Sequence, residues 1–66
     1  MKQRYTITMA IESVAEYLKQ GIDHSPTTIR CVINDTLDDA EKNGYRVNHD
    51  YNQPRAVKAV RKLLGK

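Results

Sequence analysis

Few side chains in this 66-residue sequence are of a type and spacing that could do chemistry. Cys31 is the single cysteine, with no histidine placed by sequence to activate it, and reads as a small residue of a helix. His24 and His49 lie beside Asp23 and Asp50 but far apart in the chain, without the spacing of a metal site, and read as solvated loop residues. Asp38, Asp39 and Glu41 read as a solvated helix face. The sequence contains no nucleophile elbow, Gly-rich phosphate loop or paired catalytic carboxylates. The expectation is a protein that is not an enzyme and uses neither metal nor cofactor. The remaining chemistry is that of cations and hydroxyls. Lys2, Arg4, Thr6 and Thr8 open the chain, Ser25, Thr27 and Thr28 sit in its middle, and Arg55, Lys58, Arg61 and Lys62 lie near its end. Arginine forks onto guanine O6 and N7, threonine donates, accepts or places its methyl on thymine, and lysine pairs with phosphate.

The charge distribution points the same way. Residues 45–66 carry six basic side chains against Asp50, and residues 1–9 carry Lys2 and Arg4 with no acid. Residues 10–44 are net acidic, so the overall charge of +3 comes from the two ends. A sequence pI near 9.2 suits an anionic partner. A chain this short makes one domain and buries only about 60% of its unfolded surface. With one cysteine it has no internal disulfide, and with no Phe or Trp its core must come from Ile, Val, Leu, Ala, Met and Tyr. Oligomerisation is the usual remedy at this size. No apolar run approaches the 18 or more residues of a membrane span, and the N-terminus lacks the apolar stretch of a signal peptide. A cytoplasmic protein is expected, with no membrane partner.

The elements that must position these groups follow from periodicity. Residues 3–9 alternate, with Tyr5, Ile7 and Met9 on one face and Arg4, Thr6 and Thr8 on the other, which predicts a half-buried strand. Ile11, Val14, Ala15 and Leu18 predict a helix over 10–20, with Gly21 past its end. Ser25-Pro26 predicts the start of a second helix, striped by Ile29, Val32, Ile33, Leu37 and Ala40 and stopped by Lys42, Asn43 and Gly44. Residues 45–52 read as a polar loop that allows a brief strand at 45–47. Pro54 opens a third helix with a narrow stripe of Val57, Val60 and Leu64, flanked by Ala56 and Leu63. The expected division is 1–44, a 45–52 loop, and a basic amphipathic helix over 53–66. The strand finds no second strand of comparable strength in the sequence, so its simplest partner is the same strand of another copy.

This order of short strand, helix, turn and helix with a basic tail resembles the ribbon-helix-helix family of Arc-, MetJ- and CopG-type repressors. The run Met1-Lys2-Gln3-Arg4-Tyr5-Thr6-Ile7-Thr8-Met9 is similar to the first strand of CopG-type repressors and Ccd-type antitoxins, and the resemblance covers about residues 1–43. It implies an α+β, mostly helical homodimer whose two strands pair antiparallel and enter the major groove of an operator. Arg4, Thr6 and Thr8 would face base edges, and Tyr5, Ile7 and Met9 would close the dimer core over Val32 and Ile33. Lys2, Ser25, Thr27 and Thr28 would hold phosphates, the last three at a helix N-terminus. The implied function is a dimeric, sequence-specific transcriptional repressor of plasmid, phage or bacterial origin. The first helix is about one turn shorter than in many members, a feature shared with Ccd-type antitoxins.

A second resemblance competes. Val14-Ala15-Glu16-Tyr17 and Thr27-Thr28-Ile29-Arg30-Cys31-Val32-Ile33-Asn34 are similar to the helix-turn-helix of LacI-type repressors, and Gly44-Tyr45-Arg46-Val47 suits the start of a wing. There residues 26–34 would be the recognition helix, with Thr27, Thr28 and Arg30 on bases. The basic tail has two further uses: phosphate contacts from Arg55, Lys58, Arg61 and Lys62, or a protein partner bound through residues 45–66. The non-DNA alternative is therefore a small protein-binding regulator, such as an antitoxin or a phage-encoded inhibitor.

Overall fold

Helix α1 begins inside the segment whose alternation predicts a strand. The computed structural model describes residues 3–65, with β1 at Arg4–Tyr5, α1 at Ile7–Leu18, α2 at Pro26–Lys42, β2 at Arg46–Val47 and α3 at Gln53–Leu63. Thr6 is extended, at φ −83° and ψ 160°, and its Oγ1 accepts the Met9 amide at 3.2 Å. The Ala10 amide then closes the first turn onto the Thr6 carbonyl at 3.1 Å. Thr6 is therefore an N-cap, and Ile7, Thr8 and Met9 are helical, which corrects the strand expected over 3–9. The physical reason is phase. Ile7 falls in step with Ala10, Ile11, Val14, Ala15 and Leu18, so the helical stripe runs one turn further back than position 10. Three alternating residues fit either period, and the cap decides between them.

The strand's partner lies in the same chain. β1 pairs parallel with β2, Arg4 beside Arg46 and Tyr5 beside Val47, and the Arg46 amide donates to the Gln3 carbonyl at 2.8 Å. The pairing of β1 therefore does not call for a second copy, which removes the unpartnered strand as a reason for a two-fold. Tyr5 and Val47 pack against the core, and Tyr5 meets Tyr45 edge-to-face with ring centroids 5.7 Å apart.

The turn after α2 makes this pairing geometrically accessible. Gly44 takes φ +92°, the Tyr45 amide donates to the Ala40 carbonyl, and the Gly44 amide donates to the Glu41 carbonyl. This is the Schellman arrangement, and it reverses the chain so that Arg46 reaches β1. α3 starts on its own cap: Asn52 Oδ1 accepts the Arg55 amide at 3.1 Å. Tyr51, just before it, donates its hydroxyl to Asn34 Oδ1 at 2.7 Å and pins this connection to α2.

The core is small and aliphatic. Ala10, Val14, Ala15 and Leu18 of α1 meet Ile29, Ile33 and Leu37 of α2 and Ala56 and Val60 of α3. α3 thus closes the same core as the other helices. Tyr5, Ile7, Val32, Val57 and Leu64 are partly buried around it, whereas Met9, Tyr17, Ile22 and Leu63 are exposed. The Cα radius of gyration is 11.5 Å, against about 25 Å expected for an unfolded chain of this length. Among the described residues, no helix is long and apolar enough to cross a membrane.

Candidate nucleic-acid interface

Four cations converge on one groove. Pro26 and Arg30 at the start of α2, and Gln53, Pro54, Val57, Lys58, Arg61 and Lys62 of α3, line a depression of about 740 Å³. Pro26, Pro54 and Val57 give it an apolar lining, and Arg30, Lys58, Arg61 and Lys62 are exposed along it. The convergence has a simple local origin. Ala56 and Val60 turn one side of α3 into the core, which sends Lys58, Arg61 and Lys62 outward beside the first turns of α2. Ile29 and Ile33 do the same for α2 and leave Arg30 on the facing side. Tyr51 lies within reach of Arg30. Burial pushes its hydroxyl above the ordinary value of 10.0, and the guanidinium acts in the opposite sense. Of the cations expected near the end of the chain, three share this groove. Arg55 borders a different depression, with Ile7, Ile11, Tyr51 and Ala59.

The N-terminus of α2 is occupied by the protein's own carboxylate. Ser25 caps the helix, its Oγ accepting the Thr28 amide at 3.3 Å. Asp23 then accepts the Thr28 hydroxyl at 2.7 Å and the Ser25 amide at 3.0 Å. The Ser25 hydroxyl donates onward to Thr28 Oγ1 at 3.0 Å. These bonds, the one from the Thr28 hydroxyl first and the one from the Ser25 amide second, hold the Asp23 carboxyl below its ordinary value of 3.8. Ser25 and Thr28 are phosphate contacts on the sequence reading. In the folded chain their donors are committed to one another and to Asp23, in the place an external phosphate would take. Thr27 is exposed and has no such bond among the described residues.

The N-terminal residues are redistributed in the same way. Arg4 is exposed on β1, Thr6 is spent on the α1 cap, and Thr8 is exposed in the first turn of α1. They do not form one strand face, and Met9 does not point into a strand-built core. Lys2 lies outside the described residues. The sequence reading missed Arg46, which stands beside Arg4, and Asp23, which closes the α2 N-terminus. His49 faces Glu41 at 3.2 Å and Asp38 at 3.8 Å, an exposed cluster that ties the segment after β2 to α2. His24 bonds the Leu18 carbonyl through Nε2 at 2.7 Å. Cys31 is exposed. Among the described residues, no group of three or more His, Cys, Asp or Glu side chains is arranged to hold a metal ion.

Comparison of the chain with protein-family models, with curated proteins and with solved structures finds no match.

Proposed function

We propose that this protein binds double-stranded DNA and acts as a transcriptional repressor by occupying an operator. The observation that carries this reading is the convergence of Arg30, Lys58, Arg61 and Lys62 on one groove between α2 and α3. Cations in a row along a helix track a phosphate backbone, and clustered cations release condensed counterions on binding. Arg30 and Gln53 are the groove residues able to read base edges, guanine and adenine respectively. The strand-pair route to the same function would need Ile7, Thr8 and Met9 to leave α1 and β1 to leave β2, so the groove is the better-supported reader. The helix-turn-helix alternative shares Arg30 with it.

The test is duplex binding by the full chain, measured by fluorescence anisotropy at several salt concentrations. Removing two phosphate contacts with Lys58→Gln and Arg61→Gln should flatten the log K against log salt slope by about 1.8 per chain, so a fourfold rise in salt costs roughly 12-fold less affinity than in the wild type. Selection from a randomised duplex pool should return a consensus that Arg30→Ala relaxes at a single base pair. An unchanged slope in the double variant refutes the groove as the DNA surface. Absence of duplex binding, with capture of an acidic peptide by the same cations, would favour the protein-binding alternative.

A further inference from the structure

We propose that the paired Arg4 and Arg46 side chains form a phosphate-binding site on the outer face of the two-strand sheet. The site as such is independent of the DNA reading; its assignment to a DNA phosphate rests on that reading. The parallel register sets Arg4 directly beside Arg46. Registered residues leave a sheet on the same face, and neighbouring strands lie about 4.8 Å apart. Tyr5 and Val47 are the pair that packs against the core, so the two arginines share the outer face, and both are exposed. The register is held by the Arg46 amide on the Gln3 carbonyl, and the Tyr5 hydroxyl, donating to Ser13, fixes β1 on α1.

Two like charges opposite one another destabilise a sheet unless an anion lies between or beside them. Among the described residues, neither arginine makes an ion pair; the ion pairs are Lys19 with Glu16, and His49 with Asp38 and Glu41. The arginines border a depression of about 670 Å³ that also presents the polar side chains of Thr6, Asn48 and Asn52. Asp50 lines it too, without approaching either guanidinium closely enough to pair. Its carboxylate sets the mouth of the site slightly against anions. Two guanidinium forks side by side match the oxygens of a tetrahedral phosphate, each offering two parallel donors. The ligand chemistry is a phosphate, supplied by a nucleic-acid backbone or by a free phosphate ester. Asn52 borders this depression and the next residue, Gln53, borders the basic groove. The two depressions thus border consecutive residues at the start of α3.

The experiment is a titration of the full-length protein with inorganic phosphate against chloride at matched ionic strength, followed by the backbone amide resonances. Phosphate should shift Arg4, Tyr5, Thr6, Arg46 and Val47 saturably, and chloride should not. Arg46→Gln should abolish the response, Arg46→Lys should weaken it, and Asp50→Asn should strengthen it. Arg46→Gln should melt no lower than the wild type, since it removes a like-charge pair, and this separates loss of the site from loss of the fold. No shift in the wild type, or an equal response in Arg46→Gln, overturns the proposal. With duplex DNA, Arg46→Gln should lower the salt slope by about 0.9 for each phosphate it leaves without a neutralising partner. An unchanged slope with an intact phosphate titration assigns the site to free phosphate. Failure of the wild type to bind duplex, with the phosphate response intact, overturns the proposed function and leaves this site standing.

Discussion

Thr6 is the residue on which the helical start of the chain and the strand-like reading of the same segment part company. As an N-cap it supplies one acceptor, Oγ1, to the Met9 amide at 3.2 Å. Thr6→Ala leaves that amide to water, which costs about 1 kcal/mol at an exposed cap. For a domain of this size the melting temperature should fall by about 4–8 °C per kcal/mol. Thr6→Asp sharpens the test. Aspartate caps a helix at least as well as threonine, and its charge faces the positive end of α1, where the first turn carries no other acid. The Asp variant should therefore melt at or above the wild type. In a strand the order reverses, because aspartate is disfavoured there. Thermal unfolding followed by circular dichroism ranks the three proteins directly. If Thr6→Asp melts below Thr6→Ala, Thr6 does not cap a helix and the placement of Ile7–Met9 in α1 is wrong. Below its melting point Thr6→Ala should bind duplex DNA close to wild type, since the groove lies elsewhere, whereas Thr6→Asp adds a carboxylate beside Arg4 and Arg46 and serves only the stability ranking; loss of base specificity in Thr6→Ala would restore the strand face as reader.

Val60 is fully buried between α3 and the other helices, so Val60→Ala should cost about 2–3 kcal/mol from the two missing methyl groups and the cavity they leave, read as a lower urea midpoint. Gly44→Ala should cost about 1–2 kcal/mol through its positive φ alone, since nothing lies within 4 Å of an added Cβ; a neutral result in the same assay would mean the Schellman turn is not formed. Asp23 has a lowered folded pKa, so its stabilisation is complete above the ordinary value of 3.8 and is lost as pH falls through the lower folded value. Asp23→Asn should lose stability at neutral pH and flatten the acid limb of a denaturation-against-pH profile; an unaltered limb would mean the carboxylate makes no net contribution there.

The helices are legible in the sequence because their signals are redundant. α2 has a Ser-Pro start, a long apolar stripe and an Asn-Gly stop, and each marks the same span independently. α3 is marked by Pro54 and by Val57, Val60 and Leu64, although it is Ala56 and Val60 that are buried most deeply. The strand is overextended on the sequence reading because Tyr5, Ile7 and Met9 are too few to separate a period of 2 from one of 3.6. Its true partner, Arg46–Val47, is two residues long and carries almost no periodic signal. The site divides along the same line. The cations of α3 are visible as a run, but their convergence with Arg30 depends on how two helices pack. The bonding of Asp23 to the Ser25 amide and the Thr28 hydroxyl, around the Ser25 cap of α2, depends on a loop conformation that leaves no spacing rule in the sequence.

That cap also shapes what the groove can do. A helix N-terminus with free amides binds anions through fixed dipoles, whose contribution survives partial screening near the backbone. Here Ser25 accepts the Thr28 amide and Asp23 accepts the Ser25 amide and the Thr28 hydroxyl, so the positive end of α2 is partly balanced from within the chain. The attraction left to a phosphate comes from Arg30, Lys58, Arg61 and Lys62, all exposed and all on long side chains. Exposed charges are screened over about 8–10 Å at ordinary ionic strength. On the proposed function, DNA binding through this groove would be governed by counterion release and steeply salt-dependent, with the modest specificity that one arginine and one glutamine can supply. A phosphate held by Arg4 and Arg46 would lengthen the same footprint past Asn52, because paired guanidiniums add a directional contact where the groove offers mostly mobile point charges.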